Sequence, residues 1–333
     1  MPGRFDVLAV GDVVTDAFIK LFDDGARSFQ DEKGKWLAVA YGTKIPYDHA
    51  YIVEAVGNAS NAAVNFAKFG LVTGFVSNVG GDQFGRDIIN ALAKNKVDTR
   101  FVSISPDKLS NYHYVLWYKE ERTILIKHET YEYHWPHLRE TEIPKWIYFS
   151  SVAGSALEYN DQLADWLEDN KMVKLALQPG TFQLEAGYER LKALYKNTEV
   201  LVLNREEAVQ LTGGSYDNLH GLLDTLHSYG PKTAVITDGP AGAYASDGKK
   251  RLKVPVYPDP KPPYERTGAG DAFASTLVAA LIKGYDLEAA LQLAPISSMN
   301  VVQHIGAQEG LLNENELAEL LKKAPADYRI ESF

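Results

Sequence analysis

The chain has 333 residues, of which 45% are hydrophobic and 23% charged, with no cysteine and a formal net charge of −10. This balance excludes a disordered chain, disulfides, thiolate catalysis and Cys-ligated zinc, and the acidic surface argues against a nucleic-acid partner. No apolar run approaches the roughly 20 residues needed to span a bilayer, and Met1–Asp6 leads into a strand-like segment with no signal-peptide pattern. A cytoplasmic protein with no membrane partner is expected.

Phe5–Val10 is a short apolar run ending at Gly11, as suits a buried parallel strand. Asp12 and Asp16 follow it, where ligands of open α/β sheets sit, so these acids are candidates to grip hydroxyl groups; Asp after a strand also commonly caps a turn. From 17 to 56, period-two pieces such as Phe18–Phe22 and Trp36–Ala40 flank a charged stretch and predict a small appended sheet. Gly57-Asn58-Ala59-Ser60-Asn61 leads into a helix over Ala62–Gly70, followed by a strand over Val72–Ser77. A turn at Gly80-Gly81-Asp82 and a helix over Asp87–Lys94 complete these βα units, the turn being able to line a nucleotide.

A second strand pair, Tyr112–Trp117 with Thr123–Ile126, spans a charged turn and extends the appended sheet over about 110–128. Strands at Ile147–Ser150, Val173–Leu177, Val200–Leu203 and Lys232–Thr237 then alternate with helical stretches such as Asp161–Glu168 and Leu219–Ser228, a doubly wound α/β pattern. Pro255–Pro263 is a loop. Helices are predicted over Thr267–Lys283, apolar on nearly every face and hence central, over Leu287–Val302 and over Glu314–Lys322.

The stretch Glu265-Arg266-Thr267-Gly268-Ala269-Gly270-Asp271 opens that central helix. Small residues let backbone N–H groups approach an anion at the positive end of a helix, and Asp271 could take a proton from an attacking hydroxyl. A tight N-cap is the alternative use of such a turn. Two further pieces point to phosphate: Asn204 and Glu207, on one helical face after a strand, could hold a hydrated Mg²⁺. The turn Thr237-Asp238-Gly239-Pro240-Ala241-Gly242 could line a nucleotide.

With these motifs in view the chain resembles the ribokinase-like (PfkB-type) carbohydrate and nucleoside kinase family, matching in order at Gly11–Asp16, Gly57-Asn58 and Asn61, Gly80–Gly85, Asn204–Glu207 and Thr267–Asp271. The resemblance implies one three-layer α/β/α domain over 1–333, with a mostly parallel sheet of eight or nine strands and a small β-sheet lid. It implies ATP as donor, Mg²⁺ as helper and Asp271 as base. Gly268, Ala269 and Gly270 would form the anion hole, and Asn204 and Glu207 would organise Mg²⁺ through its waters. Thr237, Gly239 and Gly242 would line the nucleotide, and Asp12, Asp16, Gly57, Asn58 and Asn61 would bind the acceptor.

Three departures bear on transfer from the family. Glu265 stands where the family has Asp, which predicts weak K⁺ activation; Arg266 is a candidate phosphate contact; and Gln178-Pro179 replaces Asp-Pro. A Rossmann dehydrogenase is disfavoured because Phe273 stands where the third small residue of its fingerprint belongs, and no P-loop motif is present. No zinc site is expected from the eight histidines. A sugar acceptor is favoured on Asp12 and Asp16. A nucleoside remains the alternative, since Tyr112, Tyr114, Trp117, Phe22 and Trp36 could stack on a base or make a homodimer through the lid. A non-catalytic sensing relative would be recognised by failure to turn over ATP.

Overall fold

The structure, a computed structural model, describes residues 4–32, 34–119, 121–264 and 266–333. Strand β1 (Val7–Val10) is buried at all four positions, as expected for a parallel strand with helices on both faces of its sheet. In chain order follow β2 (Val14–Leu21), β3 (Arg27–Asp31), β4 (Gly34–Ala38), β5 (Tyr47–Val56), α1 (Asn58–Lys68), β6 (Thr73–Gly80), α2 (Gln83–Lys94), β7 (Asp98–Ser105), β8 (Tyr112–Tyr118) and β9 (Glu121–Leu125). Next come β10 (Trp146–Phe149), α3 (Leu157–Asp169), β11 (Lys174–Leu177), α4 (Thr181–Lys196), β12 (Thr198–Asn204), α5 (Arg205–Thr212), α6 (Leu219–Ser228) and β13 (Thr233–Thr237). The chain closes with β14 (Ala243–Ser246), β15 (Arg251–Val254), α7 (Ala269–Ile282), α8 (Leu287–Val301), α9 (Glu314–Lys322) and β16 (Glu331–Ser332).

The main sheet has the order β16-β15-β14-β13-β12-β11-β10-β1-β6-β7. It is parallel from β7 to β13 and antiparallel from there to β16. Among the described residues it therefore holds ten strands, more than the eight or nine expected, because β16 pairs onto its edge. One face packs on α1, α2, α7, α8 and α9 through residues such as Phe66, Ile88, Leu277, Leu291 and Leu317; the other packs on α3 to α6 through Leu163, Leu194, Leu211 and Leu223. The result is the three-layer α/β/α arrangement.

The lid is a second sheet of order β5-β2-β8-β9, in which β2 pairs antiparallel with β5 and parallel with β8. The two appended pieces are thus one sheet. Trp36–Ala40 does not pair with Phe18–Phe22 as its alternation suggests; β4 pairs with β3 in a separate exposed ribbon, and β2 takes β5 instead. Asp16 consequently lies inside β2 rather than in a loop after β1, directly beside His113 of β8 in register. Helix α1 begins at Asn58, four residues earlier than predicted, so Asn58 and Asn61 stand one turn apart on its first turns.

The Gly80-Gly81-Asp82 turn has a structural use. Asp82 caps α2 by accepting from Gly85 N at 2.9 Å, and it also accepts from Ser110 N (2.9 Å) and Ser110 Oγ (2.7 Å), which fixes the approach to the lid. Helix α4, one of the helical stretches expected between the strands, is broken at Gly187, where φ is 73°. No helix among the described residues is long and apolar enough to cross a membrane.

Candidate active site

Helix α7 is apolar on nearly all faces and lies in the core, so its N-terminus is held rigidly. Asn65 of α1 donates to Ser275 Oγ and Thr276 Oγ1, each at 2.8 Å, and Ser298 Oγ of α8 donates to Ala269 O at 2.7 Å. These bonds lock the first two turns of α7 against both neighbours. Gly268 precedes it with φ 79°, and a Cβ there would lie 2.7 Å from Ala307 Cα. Only glycine fits that entry. At Gly270, in contrast, a Cβ would meet no protein atom within 4 Å, so packing within the protein does not require glycine there.

Two cavities flank this turn. The first, of about 320 Å³, is walled by Ala269 and Gly270 together with Thr237, Gly239, Gly242 and Arg266, and its far side is apolar, with Pro240, Val256, Tyr257 and Met299. The second, of about 210 Å³, lies under the lid and is walled by Asp271, Thr267, Asp16, Gly57, Asn58 and Asn61, with Phe18 and His113 contributed by the lid strands. The structure thus brings three predicted nucleotide residues to one cavity and four predicted acceptor residues to the other. Of the five aromatics considered for base stacking, none lines the second cavity; Trp117 is buried and donates Nε1 to Lys119 O at 2.9 Å.

Asp271 is held by three amides. Asn58 Nδ2 donates to Oδ1 at 3.0 Å, Asn61 Nδ2 to Oδ2 at 2.8 Å, and Gln178 Nε2 to Oδ1 at 3.3 Å. Gln308 holds Asn61 in turn, donating to its Oδ1 at 2.9 Å, and the hydroxyl of fully buried Tyr148 donates to Gln178 Oε1. Burial pushes the Asp271 carboxyl above the usual carboxylate value, while the bonds from Asn61, Gln178 and Asn58 pull it back. Gln178 therefore belongs to the site. The sequence showed it only as a departure from Asp, and its role appears once β11 is placed beside β10.

Asn204 and Glu207 form a reciprocal capping box at the start of α5. Asn204 Oδ1 accepts from Glu207 N and Glu207 Oε2 accepts from Asn204 N, both at 2.8 Å. Asn204 pairs in register with Thr237 across β12 and β13, which puts the pair beside the first cavity rather than in its wall. Burial raises the pKa of Glu207, and the nearby negative charges of Glu206 and Asp271 raise it further. A divalent cation would relieve that accumulation of like charge, so the donor set fits Mg²⁺ with Glu207 as the charged group and Asn204 as the residue that fixes it.

Asp12 lies behind the second cavity rather than in its wall. Tyr133 donates to its Oδ1 at 2.7 Å, and burial raises its carboxyl to about 6. Tyr133 and His128 come from 126–139, a segment with no helix or strand that is tied down by Glu129 N to Asn111 Oδ1 (2.8 Å), Tyr131 Oη to Leu109 O (2.7 Å) and Trp135 N to Gln162 Oε1 (2.8 Å). No periodicity or motif marks this strap in the sequence. From the lid, Arg122 donates to Thr267 Oγ1 at 3.0 Å, one residue before the Gly268 turn, and its guanidinium lies over Phe18 and Trp117. Glu265, on which the expectation about K⁺ rests, lies outside the described residues.

A lidded α/β sheet with a Gly-turn helix end set between two cavities defines a kinase of small molecules, and comparison with known proteins agrees. The model of the pfkB family of carbohydrate kinases matches residues 36–315, and the chain belongs to that family. It is similar to a ribokinase of Bacillus subtilis, at 26% identity over 282 residues covering 80% of this chain and 87% of the relative. It is also similar to an ATP-dependent 6-phosphofructokinase of Thermoanaerobacterium thermosaccharolyticum, at 24% identity over 315 residues covering 91% and 90%. In fold it resembles the Arabidopsis thaliana ribokinase complexed with ribose and ATP, with a TM-score of 0.77 and 20% identity over 96% of this chain and 99% of the other. The chain is a carbohydrate kinase, a phosphotransferase with an alcohol group as acceptor.

Proposed function

We propose that this kinase moves the γ-phosphate of ATP to a hydroxyl of a small sugar, with ATP in the first cavity and the sugar in the second. The observation that carries the reading is the first turn of α7, which presents Ala269 and Gly270 to one cavity and Asp271 to the other. The acceptor oxygen attacks Pγ, an O–P bond forms, the bond from Pγ to the bridging oxygen breaks, and ADP leaves. Asp271 orients the hydroxyl and receives its proton, the three amides keeping the carboxylate aimed. The N–H groups of 268–270, at the positive end of a rigid helix with no side-chain cap, face the charge that develops on the phosphoryl oxygens.

Thr237, Gly239 and Gly242 bind the donor, and Arg266 in the same wall adds a positive charge. Mg²⁺, when bound, supplies charge neutralisation on the donor phosphates. Glu207 would hold it through water, and Asn204 would fix the Glu207 carboxylate. The second cavity is smaller than the roughly 300–1,000 Å³ filled by drug-sized ligands. Phe18 is its one six-membered ring among the described residues, which supports a sugar over a nucleoside.

The test is a coupled ADP-release screen of the full-length protein with Mg·ATP over neutral sugars, sugar acids, sugar phosphates and nucleosides. A sugar should give the highest kcat/KM. A nucleoside as best acceptor moves the assignment to that class. No ATP turnover with any acceptor, with ATP binding intact, would leave a sensing protein.

A further inference from the structure

Resting on the reading above, two residues of the acceptor cavity wall, Asp16 and His113, belong to a buried polar group that the reaction itself does not use. Asp16 Oδ1, His113 Nε2, His128 Nδ1 and Asp12 Oδ2 are all buried, and each lacks a hydrogen-bond partner in the protein. They are contiguous. His113 Nδ1 lies 3.3 Å from Asp16 Oδ1 without the alignment of a hydrogen bond, the His113 and His128 rings are 5.2 Å apart edge to face, and His128 Nδ1 lies 4.0 Å from Asp12 Oδ2. Asp16 and His113 stand in the cavity wall. Asp12 is only 9% exposed and is fixed from behind by Tyr133.

Buried polar atoms are normally paired, and a contiguous set of four without hydrogen-bond partners, two of them on residues of the substrate cavity wall, calls for a ligand that completes it from that wall. The set has a definite chemistry. Two carboxylate oxygens accept, and two imidazole nitrogens accept or donate according to tautomer. A hydroxyl group matches both kinds. The acidic groups outweigh the basic ones: Asp16 and Asp271 line the cavity, Asp12 stands behind it, and no Lys or Arg lines it among the described residues. The Arg122 guanidinium is directed at Thr267 Oγ1 and at the rings of Phe18 and Trp117.

We propose that Asp16 and His113, backed by His128 and Asp12, form the specificity wall of the acceptor site, reading the hydroxyls distal to the one phosphorylated, and that the acceptor is a neutral polyhydroxylated compound. A sugar phosphate or sugar acid would bring its charge against these carboxylates with no Lys or Arg among the described wall residues to offset it. The two relatives compared above differ on this point, since their names specify ribose, which is neutral, and fructose 6-phosphate, which is anionic. This wall places the chain with the neutral class.

The test uses full-length wild type, His113→Ala and His128→Phe, with D-ribose, D-fructose, D-glucose and myo-inositol against D-gluconate and D-fructose 6-phosphate. The best neutral acceptor should exceed both anions by roughly 100-fold or more in kcat/KM, because a site built to bond a hydroxyl discriminates strongly. Each variant should raise acceptor KM about tenfold, the size of one lost hydrogen bond, with ATP KM and kcat within about threefold of wild type. Replacing His128 by Gln, which keeps a polar end, should recover part of the loss. ATP affinity by calorimetry verifies that the variants are folded. An anionic best acceptor, or variants that alter kcat and both KM values alike, overturns the inference while leaving the kinase reading standing. No turnover of any acceptor by wild type overturns both.

Discussion

Replacing Asp12 by Asn should make the protein more stable, by an amount that grows as pH rises from about 4 to a little above 6 and then levels off. Burial raises the Asp12 carboxyl from 3.8 to about 6, against the lowering effect of its bonds from Tyr133 and the Ala153 backbone. The folded state therefore binds that proton more tightly than the unfolded state. Below the ordinary carboxylate value both states are protonated and nothing is lost. Between the ordinary carboxylate value and about 6 the unfolded chain gives up the proton while the native protein holds it, so stability falls across that interval and levels off above it, where the native protein too carries the buried carboxylate. A gap of this size corresponds to about 3 kcal/mol at pH 8, and to about 1 kcal/mol at pH 4.5, where the unfolded group is already mostly ionised. Asn keeps an oxygen to accept from Tyr133 and never ionises, so its advantage should grow by about 2 kcal/mol across that interval. Urea titrations followed by tryptophan fluorescence at the two pH values measure it. The same pair on a His128→Gln background removes the neighbouring imidazole, whose own pKa is lowered by burial and by His113. A pH-independent difference, or an Asn variant less stable at pH 8, would refute the argument.

The remaining predictions concern the α7 turn and its supports. Gly268→Ala should cost about 2–4 kcal/mol, combining a left-handed φ with a 2.7 Å approach to Ala307 Cα. Gly270→Ala should leave the melting temperature nearly unchanged, because no protein atom lies within 4 Å of the added methyl, yet lower ATP affinity and kcat. Equal stability losses in the two variants would argue against the anion hole. Gln178→Leu removes one of the amides on Asp271, and kcat should fall roughly tenfold with ATP KM little changed; unchanged kcat would make Gln178 a packing residue only. Glu207→Gln retains an oxygen for the capping bond to Asn204 N, so it should fold normally and need more Mg²⁺ for half-maximal rate, read from a metal titration. An identical Mg²⁺ curve would remove Glu207 from the metal site.

The parts of the site legible in the sequence were those written locally. The glycines at 268 and 270 ahead of an apolar run announce a backbone turn and a buried helix within a few residues, and the structure has both. The βα alternation after Ile147 is equally local, since buried parallel strands read as short apolar runs. The less legible parts depend on pairing between distant segments. His113 acquires a role because β8 lies parallel to β2 and sets it against Asp16, 97 positions earlier in the numbering. Hydrophobic period reports a strand but not its partner. His128 and Tyr133 sit on a strap with no periodicity at all, held by side chains of Asn111 and Gln162 that no local rule identifies. Asn204 and Glu207 were placed together by helical spacing, but that spacing equally describes a capping box, and the structure shows the capping bonds.

The central claim is that Asp271 takes the acceptor proton, and Asp271→Asn tests it most directly. Asn is nearly isosteric, so the fold and ATP binding should survive, while loss of the base and of hydroxyl orientation should lower kcat by about 10²–10⁴-fold. The measurement is kcat with the best acceptor, alongside ATP affinity by calorimetry on the same preparation. Wild-type-like ATP binding with almost no transfer is expected. If ATP still binds and kcat stays within about threefold of wild type, well short of a general-base loss, Asp271 is a helix-end residue and the proposed mechanism is contradicted.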